Sequence, residues 1–150
     1  MRRRQLAKLY DTFYEPIYRF IYFRVGSKEV GEDLAADAFL KFWRYAKEKG
    51  KIDNERALLY KISRTLVVDF YRKKKEVSLN EGDEKSKDDD SNLLDLQKAL
   101  GELDDIQREV VVLHYFEGFS LREVGEILER KENSIQVIAH RARAKLKDKL

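Results

Sequence analysis

Residues 76–92 constrain the fold most strongly, because they contain too little apolar material to build a core. Only Val77 and Leu79 are apolar among these seventeen residues. Such a stretch cannot offset the conformational entropy lost on ordering by burying apolar surface. The sequence therefore predicts two folded domains, over 1–75 and 93–150, joined by a flexible acidic linker over 76–92.

Charge is distributed unevenly along the chain. Residues 1–75 carry 19 Lys and Arg against 10 Asp and Glu, residues 76–105 carry 3 against 11, and residues 106–150 carry 9 against 7. The formal net charge of +3 therefore conceals two positive ends and a negative middle. Two basic ends indicate that both folded domains meet a polyanion.

The composition favours helices throughout. The chain is 43% hydrophobic and 39% charged, with 7 Gly and 1 Pro, which is typical of long amphipathic helices. We therefore expect an all-α fold of two small helical domains. Cysteine is absent, which excludes disulfides, thiolate metal sites and a cysteine nucleophile. Apolar runs such as residues 110–113 are too short to span a bilayer, and no apolar signal core follows Met1, so we expect a cytoplasmic protein without membrane insertion.

In the N-terminal domain, apolar residues recur at helical spacing in three segments. The first covers residues 6–21, where Pro16 either kinks one helix or opens a second. The second runs from Glu29 to about Lys49, and the third begins near residue 58 and continues to about residue 75. These patterns predict three or four helices.

The second segment carries an apolar face wider than one helix neighbour needs. Phe39 and Trp43 lie on this face, and Asp33 and Asp37 form a charged margin beside it. We interpret the face as a surface for a protein partner. The simpler alternative is that Asp37 only pairs with Lys41 on the surface, for a few tenths of a kcal/mol.

The third segment combines basic and aromatic residues. Its polar side carries Lys61, Arg64, Thr65 and Arg72, and continues into Lys73, Lys74 and Lys75. These side chains suit contact with phosphates. Three aromatic residues in the same segment are available for base stacking, although aromatics at this spacing more often belong to a core; they are Tyr60, Phe70 and Tyr71.

In the C-terminal domain, Ser120 and Glu123 form a capping box, and Phe119 and Val124 have the spacing of a hydrophobic staple. A short helix therefore begins after Ser120. A polar turn over 129–132 follows, and then a last helix whose inward residues recur at helical spacing: Ile135, Ala139, Ala142 and Leu146. Two short helices joined by a tight turn, the second rich in Arg and Lys, form a helix-turn-helix pattern.

The last helix has the side chains that a recognition helix needs. Gln136 can pair with adenine, and Arg141 or Arg143 with guanine or phosphate. The alternative is a solvated surface helix, which is common for any helix rich in Arg and Lys. The outward residues that we expect to face DNA are Ser134, Gln136, Val137, His140, Arg141, Arg143 and Lys145.

These segments, in this order, resemble the two-domain, extracytoplasmic-function (ECF) type of the sigma-70 family of bacterial RNA polymerase sigma factors. Residues 32–43 look like the E-D-L-x-Q-E-x-F-x-x-x-W segment of sigma region 2. Residues 59–72 look like its L-x-x-I-A-x-N-x-x-x-D-x-x-R segment. Residues 103–110, 117–128 and 140–146 resemble region 4. The resemblance covers nearly the whole chain.

The resemblance implies a sigma factor that binds core RNA polymerase and directs promoter-specific transcription initiation, with no catalytic site, cofactor or metal. Core polymerase would be contacted through its β′ clamp helices and its β subunit, and an anti-sigma factor is a further expected partner. The acidic run 81–90 could occupy a basic channel of the polymerase. The implied contact residues for the β′ clamp helices are Asp33, Asp37, Phe39 and Trp43.

The resemblance also assigns DNA elements to the two basic surfaces. The polar side of the third segment, from Lys61 to Lys75, would bind and open the −10 element. An extruded base would be captured there, and contacts in its pocket would offset the cost of unstacking. The outward residues of the last helix, from Ser134 to Lys145, would read the −35 element.

The sequence departs from the family pattern at several positions. The family glutamine is Ala36, the family asparagine is Thr65, and the usual G-[IV]-S turn is Glu129-Arg130-Lys131. Residues 136–138 replace the common K-S-R. We therefore expect an altered promoter preference and weaker −35 binding. Without a capping serine in the turn, we expect Asn133 or Ser134 to cap a recognition helix that begins late.

Three other functions remain open from the residues. A helix-turn-helix transcriptional regulator would explain residues 103–150 but neither 33–43 nor 59–72. A sigma-like decoy would bind polymerase or an anti-sigma factor without recognising promoters. An enzyme has little support, because the only histidines are His114 and His140 and no phosphate-binding glycine loop is present.

Overall fold

The computed structural model describes residues 2–77 and 98–149, and every regular element in these ranges is helical. The chain divides into two compact units, Met1–Lys87 and Asp88–Leu150. The predicted all-α fold in two parts is confirmed. Residues 78–92 of the predicted linker, and the start of the C-terminal domain at residue 93, lie outside the described residues. Within the described ranges, none of the helices is both long and apolar enough to cross a bilayer.

The first unit is a bundle of three helices: α1 (Arg3–Val25), α2 (Lys28–Lys49) and α3 (Glu55–Val77). Each of the three packs against the other two. Pro16 lies inside α1, so the first segment is one helix and not two. The third helix continues two residues beyond the predicted end of the domain at residue 75.

Local signals explain where these helices begin and end. Gly26 takes the left-handed conformation (φ 69°) and donates its N–H to the carbonyl of Tyr22, which ends α1. The Ser27 hydroxyl accepts the N–H of Val30 and caps α2. The side-chain oxygen of Asn54 accepts the N–H of Ala57 over 3.0 Å at the start of α3.

The second unit contains α4 (Asp105–Val111), a π-helical turn (Val112–Phe116), α5 (Leu121–Leu128) and α6 (Glu132–Lys149). Residues 98–101 before α4 are also helical. The guanidinium of Arg108 on α4 donates to the carbonyls of Leu100 (3.0 Å) and Leu103 (3.1 Å). Arg108 therefore anchors the segment before α4 to α4, because it satisfies two carbonyls at and just after the end of the helical turn over 98–101.

The predicted start of α5 is confirmed. The Ser120 hydroxyl accepts the N–H of Glu123 over 3.1 Å, and the Glu123 carboxylate accepts the N–H of Ser120 over 3.0 Å. Phe119 and Val124, the two residues of the predicted staple, are both fully buried. The helix-turn-helix therefore begins as the sequence indicates.

The turn between α5 and α6 differs from the prediction. Glu129 takes the left-handed conformation (φ 56°, ψ 47°), and the N–H of Arg130 donates to the carbonyl of Gly125 over 2.9 Å. These two features close the turn quickly, so α6 begins at Glu132. The expectation that Asn133 or Ser134 caps a late start is wrong, because both residues already lie in the first turn of α6.

Candidate functional site

The outward face of α2 differs from the predicted partner surface. Residues 33, 37, 40 and 44 are three or four apart and therefore form one stripe along the helix. All four side chains in this stripe are exposed. The stripe carries two carboxylates, one apolar side chain that is 49% exposed, and one guanidinium; its members are Asp33, Asp37, Leu40 and Arg44.

Phe39 is not part of this outward stripe. It is 5% exposed and lies edge-on to Tyr10 of α1, with ring centroids 4.9 Å apart. The ring of Tyr14, which is also on α1, has its centroid 6.4 Å from that of Phe39. The expectation that Phe39 offers free surface to a partner is therefore wrong, because α1 covers that side of α2. The exposed Leu40, which sequence reasoning does not single out, has the correct helical spacing from Asp33 and Asp37.

Trp43 lies at the edge of the outward face. Its side chain is half-buried, and the Lys47 ammonium lies 4.3 Å from the centroid of its ring. This contact has the geometry of a cation–π interaction. The indole Nε1 of Trp43 is buried and has no hydrogen-bond partner among the described residues.

The basic residues of α3 face away from the core. Buried positions at Leu59, Ser63 and Val67 occupy one side of α3, whereas Lys61, Thr65 and Arg72 lie on the opposite side. The Thr65 hydroxyl donates to the carbonyl of Lys61 over 3.0 Å, one turn earlier in the same helix. The residues of the predicted polar stripe therefore lie along one side of α3, where Thr65 and Arg72 are exposed and Lys61 and Arg64 are half-buried.

The basic cluster at the end of α3 is exposed from Arg72 to Lys75. Arg72 makes an exposed ion pair with Asp69, with 3.3 Å between the charged atoms. Such a pair contributes at most about 1 kcal/mol and is weakened by salt. A phosphate that approaches Arg72 therefore meets only a weak competitor.

The three aromatic side chains proposed for stacking have different environments. Tyr60 is fully buried and lies edge-on to Phe20, so the stacking role proposed for it is wrong. Phe70 is half-buried. Tyr71 is 40% exposed, and its hydroxyl donates to the carbonyl of Arg24 at the end of α1. Burial raises the pKa of Tyr71 above its usual value of 10.0, and the smaller effect of Arg24 opposes the rise.

The residues on the core side of α6 are those that helical spacing predicts. Ile135, Ala139 and Ala142 are buried, and Leu146 is half-buried. All seven residues proposed to read DNA are exposed. They do not form one narrow face, because helical geometry distributes them over two flanks and the side opposite the core.

The residues proposed to read DNA divide between two flanks of α6. Ser134, Arg141 and Lys145 follow one stripe, and the Lys145 ammonium lies 3.1 Å from the side-chain oxygen of Gln107 on α4. That stripe therefore borders α4. Gln136 and Arg143 lie on the other flank, with His140 between that flank and the outermost position, Val137. A groove can accept the outermost side chains while each flank approaches a different phosphate backbone.

The described residues hold no group of three or more His, Asp or Glu side chains that could bind a metal ion. The two surfaces built from α3 and α6 are instead basic and polar. They suit binding to a polyanion.

Family models match both units. The model for sigma-70 region 2 matches residues 9–77, and the model for sigma-70 region 4 matches residues 93–146. The ECF RNA polymerase sigma factor BldN of Streptomyces coelicolor is 29% identical over 155 residues, which cover 91% of this chain and 56% of BldN. The ECF sigma factor SigW of Bacillus subtilis is 29% identical over 164 residues, which cover 96% of this chain and 88% of SigW.

Two solved structures, one of them of a sigma factor, have a similar fold. The sigma factor RpoE in complex with the anti-sigma factor NepR from Bartonella quintana matches with a TM-score of 0.80 and 21% identity, over 97% of this chain and 96% of RpoE. CnrH in complex with the cytosolic domain of CnrY matches with a TM-score of 0.75 and 23% identity, over 98% of this chain and 88% of that chain. At these identities the likeness concerns the fold alone.

Proposed function

This chain belongs to the sigma-70 family as an ECF-type sigma factor, a protein that directs RNA polymerase to promoters, and we propose how its surfaces divide that work. The first unit binds core polymerase through α2 and the −10 element through α3. The second unit reads the −35 element through α6. The observation that carries the proposal is the outward basic face of α3, since a regulator that used only its helix-turn-helix would not need it.

The polymerase contact is the outward stripe of α2, with Trp43 at its edge. Leu40 supplies apolar area at the centre of the stripe, and Asp33 and Asp37 flank it on one side. An exposed apolar side chain with a charged rim is typical of a protein interface. Phe39 acts indirectly, by fixing α2 against α1.

Binding to core polymerase tests this surface. Leu40→Ser removes apolar contact area without touching the core, and we expect roughly tenfold weaker binding, as for a residue near the centre of an interface. Val68→Ser on α3 is the matched control, because Val68 is a similarly exposed apolar residue on another face. Equal binding of the two variants, measured by fluorescence anisotropy of the labelled full chain, would contradict the proposed surface.

The −10 contact is the basic face of α3, which continues from Lys61 through Arg72 into Lys73, Lys74 and Lys75. Each phosphate that a Lys or Arg neutralises releases counterions, so binding weakens as salt rises. Replacing Arg72, Lys73 and Lys74 with Ala should reduce the slope of log affinity against log salt by roughly one unit for each phosphate that is no longer neutralised. An unchanged slope would remove this cluster from the DNA-binding surface.

The −35 contact is the outer side of α6. Gln136 offers an amide that can pair with adenine, and Arg141 a guanidinium suited to guanine or phosphate. Gln136→Ala should cost about 1–3 kcal/mol on DNA that carries the preferred sequence and little on other DNA. Equal losses on all sequences would show that Gln136 does not read a base.

We also propose an anti-sigma factor as a partner and the cytoplasm, where bacterial transcription takes place, as the location. RpoE, which shares this fold, was solved in complex with the anti-sigma factor NepR, and CnrH in complex with the cytosolic domain of CnrY. The anti-sigma factor would compete with polymerase. As a sigma factor, the chain needs no catalytic site, cofactor or metal of its own.

A further inference from the structure

Gln107 connects α4 to α6, the last helix of the second unit. Its side-chain oxygen lies 3.1 Å from the Lys145 ammonium and 3.3 Å from the backbone nitrogen of Asp104. Its own N–H donates to the Asp104 carboxylate over 2.9 Å. Gln107 therefore completes the capping box of α4 and also binds an ammonium 38 residues further along the chain.

The environments of the two partners differ. Gln107 is 7% exposed, whereas Lys145 is exposed. Without the Lys145 ammonium, the buried Gln107 oxygen would keep only the N–H of Asp104 at 3.3 Å, which disfavours breaking the bond to Lys145. Holding this bond costs the exposed Lys145 side chain rotamer entropy, which the bond to a buried acceptor opposes. The bond therefore directs the Lys145 side chain along α4 and limits how far it can project toward DNA.

The acceptor is an amide and not a carboxylate. An amide oxygen accepts from an ammonium without cancelling its positive charge. The flank of α6 that borders α4 therefore keeps the positive potential of both Arg141 and Lys145, and the Arg141 side chain is exposed. Arg141 lies one helical turn before Lys145 on the same stripe.

We propose that Gln107 is a positioning residue for −35 recognition. Lys145 does not bind DNA; it holds α6 against α4 through its bond to Gln107, which we call the brace. This inference rests on the proposed function of the second unit. The bond fixes the rotation of α6 against α4, which aims Gln136 at the groove. On the flank that borders α4, Arg141 makes the phosphate contact. Lys145, which the sequence pattern puts among the −35 contacts, is therefore reassigned from DNA to Gln107.

The test compares two substitutions that each remove one positive charge from the same stripe. Lys145→Met removes the brace, and Arg141→Met is its matched control. We measure the affinity of polymerase holoenzyme for DNA with the preferred −35 sequence and for DNA with that sequence scrambled, over a range of salt concentrations. Arg141→Met should lower the slope of log affinity against log salt by about one unit. Lys145→Met should lower the slope much less than Arg141→Met does and lower the preference for the −35 sequence by roughly fivefold.

Gln107→Leu separates the brace from charge, because it removes the acceptor and leaves every cation in place. It should also lower the preference for the −35 sequence by roughly fivefold with the slope unchanged. The double variant of Gln107→Leu and Lys145→Met should be no weaker than either single variant, since both remove the same bond. If the loss of the α4 capping box unfolds Gln107→Leu, as judged by its helical spectrum, Lys145→Met alone carries the test.

Several results would overturn the inference. A slope that falls by one unit in Lys145→Met makes Lys145 a phosphate ligand. A sequence preference unchanged in both Lys145→Met and Gln107→Leu means that the bond has no role in recognition. Wild-type holoenzyme without any preference for a −35 sequence would overturn the proposed function of the second unit as well, so the two failures are distinguishable.

Discussion

The ring of Tyr10 on α1 lies edge-on to the ring of Phe39 on α2, with 4.9 Å between their centroids. This contact makes Phe39 part of the core of the first unit. Phe39→Ala should therefore lower the free energy of unfolding by about 3–5 kcal/mol, the usual cost of removing a buried aromatic side chain. Leu40→Ala, on the adjacent exposed position, should change it by less than about 0.5 kcal/mol. Urea unfolding of the two variants checks this, and equal stability of both would contradict the burial of Phe39.

Gly125 allows the helix-turn-helix to close. A methyl group at this position would lie 2.7 Å from the carbonyl oxygen of Arg130, which belongs to the backbone of the turn. Gly125→Ala should therefore open the turn, weaken binding to −35 DNA, and destabilise the second unit by roughly 1–3 kcal/mol. Gly101→Ala is the control, since nothing lies within 4 Å of a methyl group there. A normal melting temperature and normal DNA binding for Gly125→Ala would show that the turn can shift without cost.

Glu129 holds a backbone conformation that favours glycine. Its φ of 56° costs a residue with a side chain about 1–2 kcal/mol. Glu129→Gly should relieve this strain and raise the free energy of unfolding by up to about 1 kcal/mol, allowing for the greater entropy of glycine in the unfolded chain. Glu129→Ala keeps the strain and removes the carboxylate, so it should give no such gain. Thermal unfolding of the full chain compares the two.

Tyr71 links the basic end of α3 to the end of α1 through its bond to the Arg24 carbonyl. Tyr71→Phe should cost about 1 kcal/mol at neutral pH, because it removes that bond. The pKa of Tyr71 is raised in the folded protein, so its neutral form stabilises the fold at pH values below 10.0 and the contribution is lost as pH rises through the raised pKa. The difference between wild type and Tyr71→Phe should therefore shrink above pH 10.0, as urea unfolding at both pH values can measure.

The control for that measurement is Tyr45→Phe, which alters a similarly exposed tyrosine on α2. It should leave the free energy of unfolding unchanged at neutral pH. A Tyr45→Phe variant as destabilised as Tyr71→Phe would mean that the bond to Arg24 contributes nothing specific.

The features predicted correctly from sequence depend on residues close together in the chain. Ser120 and Glu123 are three apart, so their capping box is visible without any tertiary information. The buried side of α6 follows from helical spacing alone. The motifs of residues 32–43 and 59–72 identify the family because they specify particular side chains at fixed spacing.

The features that sequence does not predict depend on which neighbour covers a helix. Spacing puts Phe39 on one side of the apolar face of α2, but only the position of Tyr10 on α1 decides that this side is buried. For the same reason spacing does not identify Leu40 as the exposed apolar residue of the stripe. The bond between Gln107 and Lys145 joins residues far apart in sequence, and no local pattern indicates it. The early start of α6 depends on the left-handed Glu129, a conformation that its residue type does not suggest.

The most direct test of promoter recognition by this chain is transcription by core polymerase reconstituted with it, on a promoter selected from random DNA by that holoenzyme. We expect transcripts from one defined start, abolished when the −10 element is scrambled and reduced when the −35 element is scrambled. Leu40→Ser should reduce all transcripts, whereas Gln136→Ala should reduce only the dependence on the −35 element. Binding to polymerase without any transcript from a defined start would contradict promoter recognition and identify the chain as a decoy.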